Sequence, residues 1–211
     1  MKNNNLIENL AKDLTPWKTM DSLPVFTAKW VGISFFLFTI NYIWMPLRLD
    51  LPMVMNEVMF HIENALWVIL AFSSSFALYK STLPDSTDRK FDYISITTFF
   101  ILLIFSLSGN TVSMTDLPHE MDLWRGRCGF IISFFTILQT PALALWAKKG
   151  APSKPGMTGA WAALSSAAVG CLLMQLVCNH HSSAHLLLWH FIPLSLMCVA
   201  SYLFANKLLR W

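Results

Sequence analysis

Six apolar runs, each about as long as the ~20 residues that an α-helix needs to cross ~30 Å of hydrocarbon, dominate this 211-residue chain. They cover about 25–46, 55–79, 92–113, 128–147, 157–177 and 185–206. Within each run the apolar residues are continuous and do not alternate with period two, so helices are expected and not the strands of a barrel. Charged residues make up 13% of the chain, about half of what a soluble domain carries. The expected fold is therefore all-α: a polytopic six-helix transmembrane bundle spanning 25–206. A segment at 1–24 precedes it and a short tail at 207–211 follows. The first run is not read as a cleaved leader, because about 24 mostly polar residues come before it and no small-x-small site follows a short apolar core. Trp44, Trp124, Trp146 and Trp189 fall near expected span ends, as in interfacial belts.

The basic residues orient the bundle. With six spans, one side receives the N-terminus, the 80–91 and 147–156 loops and the C-terminus. That side holds twelve of the fifteen Lys and Arg, leaving Arg48, Arg125 and Arg127 for the other. By the positive-inside rule both termini are expected in the cytoplasm. The formal net charge of +3 thus reflects topology, and no direct nucleic-acid contact is expected.

All six histidines follow the outward side. His180, His181 and His185 lie in or beside the loop between spans five and six, and His190 is about one turn into span six. His119 falls in the outer 114–127 loop and His61 in the outer half of span two. Cys128 opens span four and Cys178 closes span five at the same level. Two outward thiols in an oxidising compartment could pair as a disulfide. With His180, His181, His185 and His119 they could instead hold a thiophilic or borderline metal ion, for which thiolate and imidazole are the preferred ligands. The spacing Cys-x-His-His-x3-His is not that of a zinc finger, and histidines at an interface also serve simply to solvate a loop. Cys171 and Cys198 lie deep in spans five and six and read as packing residues. Glu57, His61 and Asn64 recur at i, i+4 and i+7 and would share one helix face. Polar groups at membrane depth turn toward protein or a wet cavity, so this face is expected to look toward the outer cysteines or into a helix–helix network.

At the inner end, Leu6, Ile7, Leu10 and Leu14 make the apolar edge of a short amphipathic helix. Asn5 and Glu8 resemble a capping box and Pro16 marks its stop. Its charges are mixed, not basic, which fits a helix that docks into a partner's groove at least as well as one lying on lipid.

These features together resemble the NrsF family of integral membrane anti-sigma factors, negative regulators of extracytoplasmic-function sigma factors in bacteria. The resemblance is densest from 124 to 211. It runs through Trp124-Arg125 with Cys128 three residues on, Pro141-Ala142-Leu143-Ala144-Leu145-Trp146, the hinge Gly150-Ala151-Pro152-Ser153-Lys154-Pro155 and Thr158-Gly159-Ala160. Cys178 with Trp189 eleven residues later, the ending Leu208-Leu209-Arg210-Trp211 and the segment from Leu6 to Pro16 complete it. Such a resemblance implies a non-enzymatic regulator, without a resident cofactor, in the bacterial inner membrane. It would hold a sigma factor through its N-terminal segment, with Cys128 and Cys178 as sensors of heavy metal or oxidant. This chain carries His180 where the family often has a carboxylate two positions past the second cysteine. Two other classes compete. A membrane thiol oxidoreductase passing electrons to quinone would usually show a Cys-x-x-Cys pair, and there is none. A haem or metal carrier would use His61 with His190. Phosphate-binding loops, hydrolase motifs and HExxH are absent.

Overall fold

The computed structural model describes residues 20–83, 86–108, 126–180 and 182–209. Six helices among these residues are long and apolar enough to cross a membrane, and no strand occurs among them. In chain order they are α1 (Leu23–Trp44), α3 (Val58–Ser81), α4 (Lys90–Ser108), α5 (Arg127–Lys148), α6 (Pro155–Val177) and a broken sixth helix. The short α2 (Leu51–Val54) precedes α3. The sixth helix consists of α7 (Ser183–Leu186), a π-helical turn (Leu187–Phe191) and α8 (Ile192–Leu208). Three starts follow a local rule. Pro24, Pro52 and Pro155 each sit in a first turn, where the missing N–H would be unbonded anyway.

The bundle is organised around α6. In its most apolar stretch 78% of the residues are buried, against 17–50% for the other five spans. The reason is side-chain size: Gly156, Gly159, Ala163, Ser166, Ala167 and Gly170 let neighbouring backbones come close. A Cβ added to Gly159 would lie 2.5 Å from the Ser201 carbonyl oxygen of α8, and one on Gly170 would lie 3.3 Å from Ile132 Cα of α5. α6 accordingly packs on α8, α3 and α5, with α1 resting on α6, α3 and α5, and α4 on α3. Faces turned away from α6 expose large apolar residues such as Phe35, Ile104, Phe130 and Leu196, as expected of helices solvated by lipid.

Polar links between spans are few and specific. Gln139 Nε2 donates to Ser34 Oγ (2.5 Å) between α5 and α1, and Ser95 Oγ donates to Ser73 Oγ (2.9 Å) between α4 and α3. Between α3 and α6, Ser81 Oγ donates to Thr158 Oγ1 at one end (3.0 Å) and Gln175 Nε2 to Glu63 Oε1 at the other (2.7 Å). The expected amphipathic helix with Leu6, Ile7, Leu10 and Leu14 lies outside the described residues, as do Trp124, Arg125, His119 and His181.

Candidate functional site: a buried thiol and imidazole cluster

At the end of the bundle where α6 finishes, three chain segments converge. Cys128 is the second residue of α5, Cys178 is the residue that ends α6, and His185 and His190 come from the broken sixth helix. Their sulfur and nearest ring-nitrogen atoms all lie within 4.8 Å of one another. All four residues are buried: 8% and 7% exposed for the cysteines, 0% and 2% for the histidines. Cys178 Sγ sits 3.3 Å from His185 Nε2. The two cysteines are free thiols, as are Cys171 and Cys198. The Cys178 thiol is held well below its usual pKa, chiefly by its hydrogen bond from the Cys128 thiol, against the opposing effect of burial.

Local sequence explains each placement. The main-chain N–H of Cys178 closes the last turn of α6 on Met174 (2.8 Å), and that of Arg48 caps the Leu176 carbonyl (3.1 Å). Ser182 starts the sixth helix: its side-chain oxygen accepts from the His185 N–H at 3.2 Å, an N-cap bond that fixes His185 in the first turn. Pro193 cannot donate to the carbonyl four residues back and its ring would strike it. The chain answers with the wide turn at Leu187–Phe191, where the Ile192 N–H reaches back to Leu187. On a regular α-helix His185 and His190, five apart, would point about 140° from each other. An i→i+5 turn brings residue i+5 back over residue i, and the two rings lie 5.6 Å apart between centroids.

The wide turn is packed on two sides. Phe191 lies 5.7 Å from both Trp67 of α3 and Phe99 of α4. On the other side Gly129 follows Cys128; a Cβ there would be 3.0 Å from Trp189 O and from Pro193 Cγ. Only a glycine lets the start of α5 sit this close to the turn that carries His190. Among the described residues, neither ring nitrogen of His190 makes a well-aligned hydrogen bond, although the ring lies close enough to Cys178 to help hold its thiol pKa low.

The structure thus brings Cys128, Cys178 and His185 together. His180 remains at the edge, its ring 5.0 Å from that of His185 and its carbonyl oxygen 3.8 Å from Cys178 Sγ. His190, which sequence spacing separated from this group, is its fourth member. The signal that could have found it is the proline three residues on.

The expected polar face of span two needs correction. Glu57 is the extended, exposed residue that precedes α3, so it is not part of that helix's face. His61, also exposed, turns back to the Met55 carbonyl (Nε2 to O, 2.8 Å), and Asn64 donates to the Phe60 carbonyl (2.7 Å). The helix begins at Val58, about three residues later than the apolar run implied, which leaves Glu57 just ahead of it, while His61 and Asn64 bond to nearby main-chain carbonyls. The link to another span is made by Glu63, which the pattern did not single out. Glu63 borders a cleft of about 440 Å³ together with Glu57 and Gln175, the kind of wet surrounding that an ionisable group at this depth requires.

Fold and site together define a multi-pass helical membrane protein with a buried thiol–imidazole cluster at one end of its bundle. Residues 10–211 match the family model NrsF, "negative regulator of sigma F", and the chain belongs to that family. A similar curated protein is the anti-sigma-F factor NrsF of Caulobacter vibrioides (strain NA1000 / CB15N), 25% identical over 176 residues, or 80% of either chain. No solved structure matches. Family membership makes this chain a negative regulator of a sigma factor, with a sigma factor as its partner.

Proposed function

We propose that this chain is an inner-membrane anti-sigma factor for an extracytoplasmic-function sigma factor, and that Cys128 and Cys178 are its sensor. The lysine-rich end faces the cytoplasm and carries the N-terminal segment. Leu6, Ile7, Leu10 and Leu14 of that segment occlude the sigma factor's polymerase-binding surface. The cysteine end faces the periplasm, where a heavy metal or an oxidant changes the state of the two thiols and the sigma factor is let go. One observation carries the reading: in a family of sigma-factor regulators, two cysteines fifty residues apart in sequence meet in one buried cluster with an imidazole in contact. Thiolate with imidazole is a ligand set for soft and borderline ions, and a hydrogen-bonded thiol pair is also the substrate of a two-electron oxidant.

Two measurements test it. Thiol labelling from the periplasmic side of intact cells should show Cys128 and Cys178 protected by the inducing metal, with protection of each lost in the Cys→Ser variant of the other. Both variants should fail to induce. Normal induction in both variants, with free labelling under stress, refutes the sensor. For the inner end, Leu10→Asp with Leu14→Asp should release the sigma factor, because charges placed in an apolar groove cost several kcal/mol. Full repression by that double variant, at equal abundance in the membrane, refutes the docking.

A further inference from the structure

The geometry points to a closed, four-coordinate site of two thiolates and two imidazoles, Cys128, Cys178, His185 and His190, built to hold one divalent d10 ion of the zinc and cadmium class. The inference rests on the proposed sensor only for its biological use; the site itself follows from the cluster.

Three observations carry it. The first is distance. A tetrahedral zinc site, with bonds of about 2.3 Å to sulfur and 2.0–2.1 Å to nitrogen, has ligand–ligand edges of about 3.3–3.8 Å. The Cys178–His185 edge is 3.3 Å, and no pair in the cluster exceeds 4.8 Å, so closure onto an ion needs at most about 1–1.5 Å of side-chain movement. The second is charge. Two thiolates and two neutral imidazoles around a divalent ion sum to zero. The loaded site therefore brings no net charge into a pocket whose members are all at most 8% exposed, whereas a monovalent ion between the same two thiolates would leave a negative charge there. Magnesium and calcium are excluded by their demand for oxygen ligands. The third is His190. It is 2% exposed, and among the described residues its ring nitrogens make no well-aligned hydrogen bond, although the ring helps hold the Cys178 thiol pKa low. A wide turn holds it, pinned by Phe191 on one side and Gly129 on the other. A buried imidazole without a strong partner is costly, and an ion in the cluster would take up the lone pair of one of its two nitrogens.

The site joins three parts of the bundle: α5 through Cys128, α6 through Cys178, and the wide turn of the sixth helix through both histidines. Loading it therefore clamps those three elements together at one end. His180, although next to His185, is not required.

The test uses the full-length protein, purified under reducing, anaerobic conditions in detergent or nanodiscs, with cobalt(II) as the probe. One equivalent should produce the thiolate-to-cobalt charge-transfer band and the intense visible bands of a tetrahedral ion, both removed by zinc(II) or cadmium(II). His190→Ala and His185→Ala should each weaken binding by more than the about 10–100-fold that loss of an outer-shell partner costs, while His180→Ala should bind as wild type. Thermal unfolding of each metal-free variant separates a lost ligand from a lost fold. If His190→Ala binds cobalt with the wild-type spectrum and affinity, the four-ligand site is refuted. If only the Cys→Ser variants lose binding, the four-ligand site is refuted but the thiol sensor stands. If the cobalt results hold but the Cys→Ser variants induce normally in cells, the site stands and the sensor reading fails.

Discussion

Three glycines in helices offer a graded test of the packing. Replacing Gly by Ala in a helix interior gains about 0.5–1 kcal/mol from backbone entropy and propensity, and this term is roughly the same at every site. What differs is the space the new methyl meets. At Gly32 in α1 nothing lies within 4 Å, so Gly32→Ala should stabilise by the full ~0.5–1 kcal/mol. At Gly170 the methyl meets Ile132 Cα at 3.3 Å, which asks for a shift of a few tenths of an ångström, and the two terms should nearly cancel. At Gly159 it meets the Ser201 carbonyl oxygen at 2.5 Å. That atom belongs to helix backbone and cannot swing aside, so α6 and α8 must part by roughly 1 Å. Overpacking of this kind costs about 1–3 kcal/mol, and Gly159→Ala should therefore destabilise by about 0–2.5 kcal/mol net. The assay is reversible unfolding in mixed micelles, titrated with a denaturing detergent and followed by tryptophan fluorescence. The order Gly32→Ala, Gly170→Ala, Gly159→Ala from most to least stable is the result expected. If Gly159→Ala proves as stable as Gly32→Ala, the α6–α8 contact is not as close as described and the argument for α6 as the central helix falls with it.

Two further outcomes are expected. Gln139 is fully buried and donates to Ser34, so Ser34→Ala should cost about 1–3 kcal/mol by leaving the amide without its acceptor. Gln139→Leu, which removes the polar group altogether, should be close to neutral, and a double-mutant cycle in the same unfolding assay separates the two. At the start of α1, Lys29 donates to the Asp21 carboxylate at 2.7 Å and lowers its pKa. A depressed carboxylate pKa contributes stability at neutral pH that disappears as pH falls through the carboxylate range. The pair is partly exposed, Lys29 by 40%, and such pairs contribute about 0–1 kcal/mol; Asp21→Asn should therefore barely move the unfolding midpoint at pH 7 or pH 4.

The six spans were legible because the bilayer imposes a length and a composition that survive any packing. The helix ends observed differ from the apolar runs by a few residues, at positions such as Pro155 and Ser182 where capping chemistry decides. The meeting of Cys128 with Cys178 was suggested by topology, since two residues at the same end of antiparallel neighbours share a level. His185 was legible from the same loop. His190 was not, because helical spacing turns it away from His185, and only the wide turn before Pro193 brings it back. Glu63 was missed for the opposite reason: it stands alone, and its partner Gln175 is 112 residues away. The face drawn through Glu57, His61 and Asn64 shows the hazard of periodicity near a helix start, where a boundary about three residues late removes the first member and the others bond to local carbonyls.

The way α3 and α6 are joined limits how the cluster can be felt elsewhere in the bundle. They are bonded near the cysteines by Gln175 and Glu63 and near the opposite end by Ser81 and Thr158. Tyr79 of α3 in turn donates to the Asp21 carbonyl (3.3 Å), just ahead of α1. Gln175 is three residues, about one turn, before Cys178, so any displacement of the end of α6 either carries α3 with it or breaks the Gln175–Glu63 bond. Interhelical hydrogen bonds of this type are worth about 0.6–1.7 kcal/mol each. A ligand at the cluster that prefers a shifted α6 must favour that state by more than this to populate it, since a ligand shifts an equilibrium only by its differential affinity for the two states. If it does, α3 is the element that reaches Asp21, the residue nearest the N-terminal segment to bond with another helix among those described. The polar pairs of α3 therefore connect the cysteine end to the beginning of α1, alongside α5, which carries Cys128 at one end and at the other packs Trp146 on Phe26 (6.5 Å between centroids) and under Lys29.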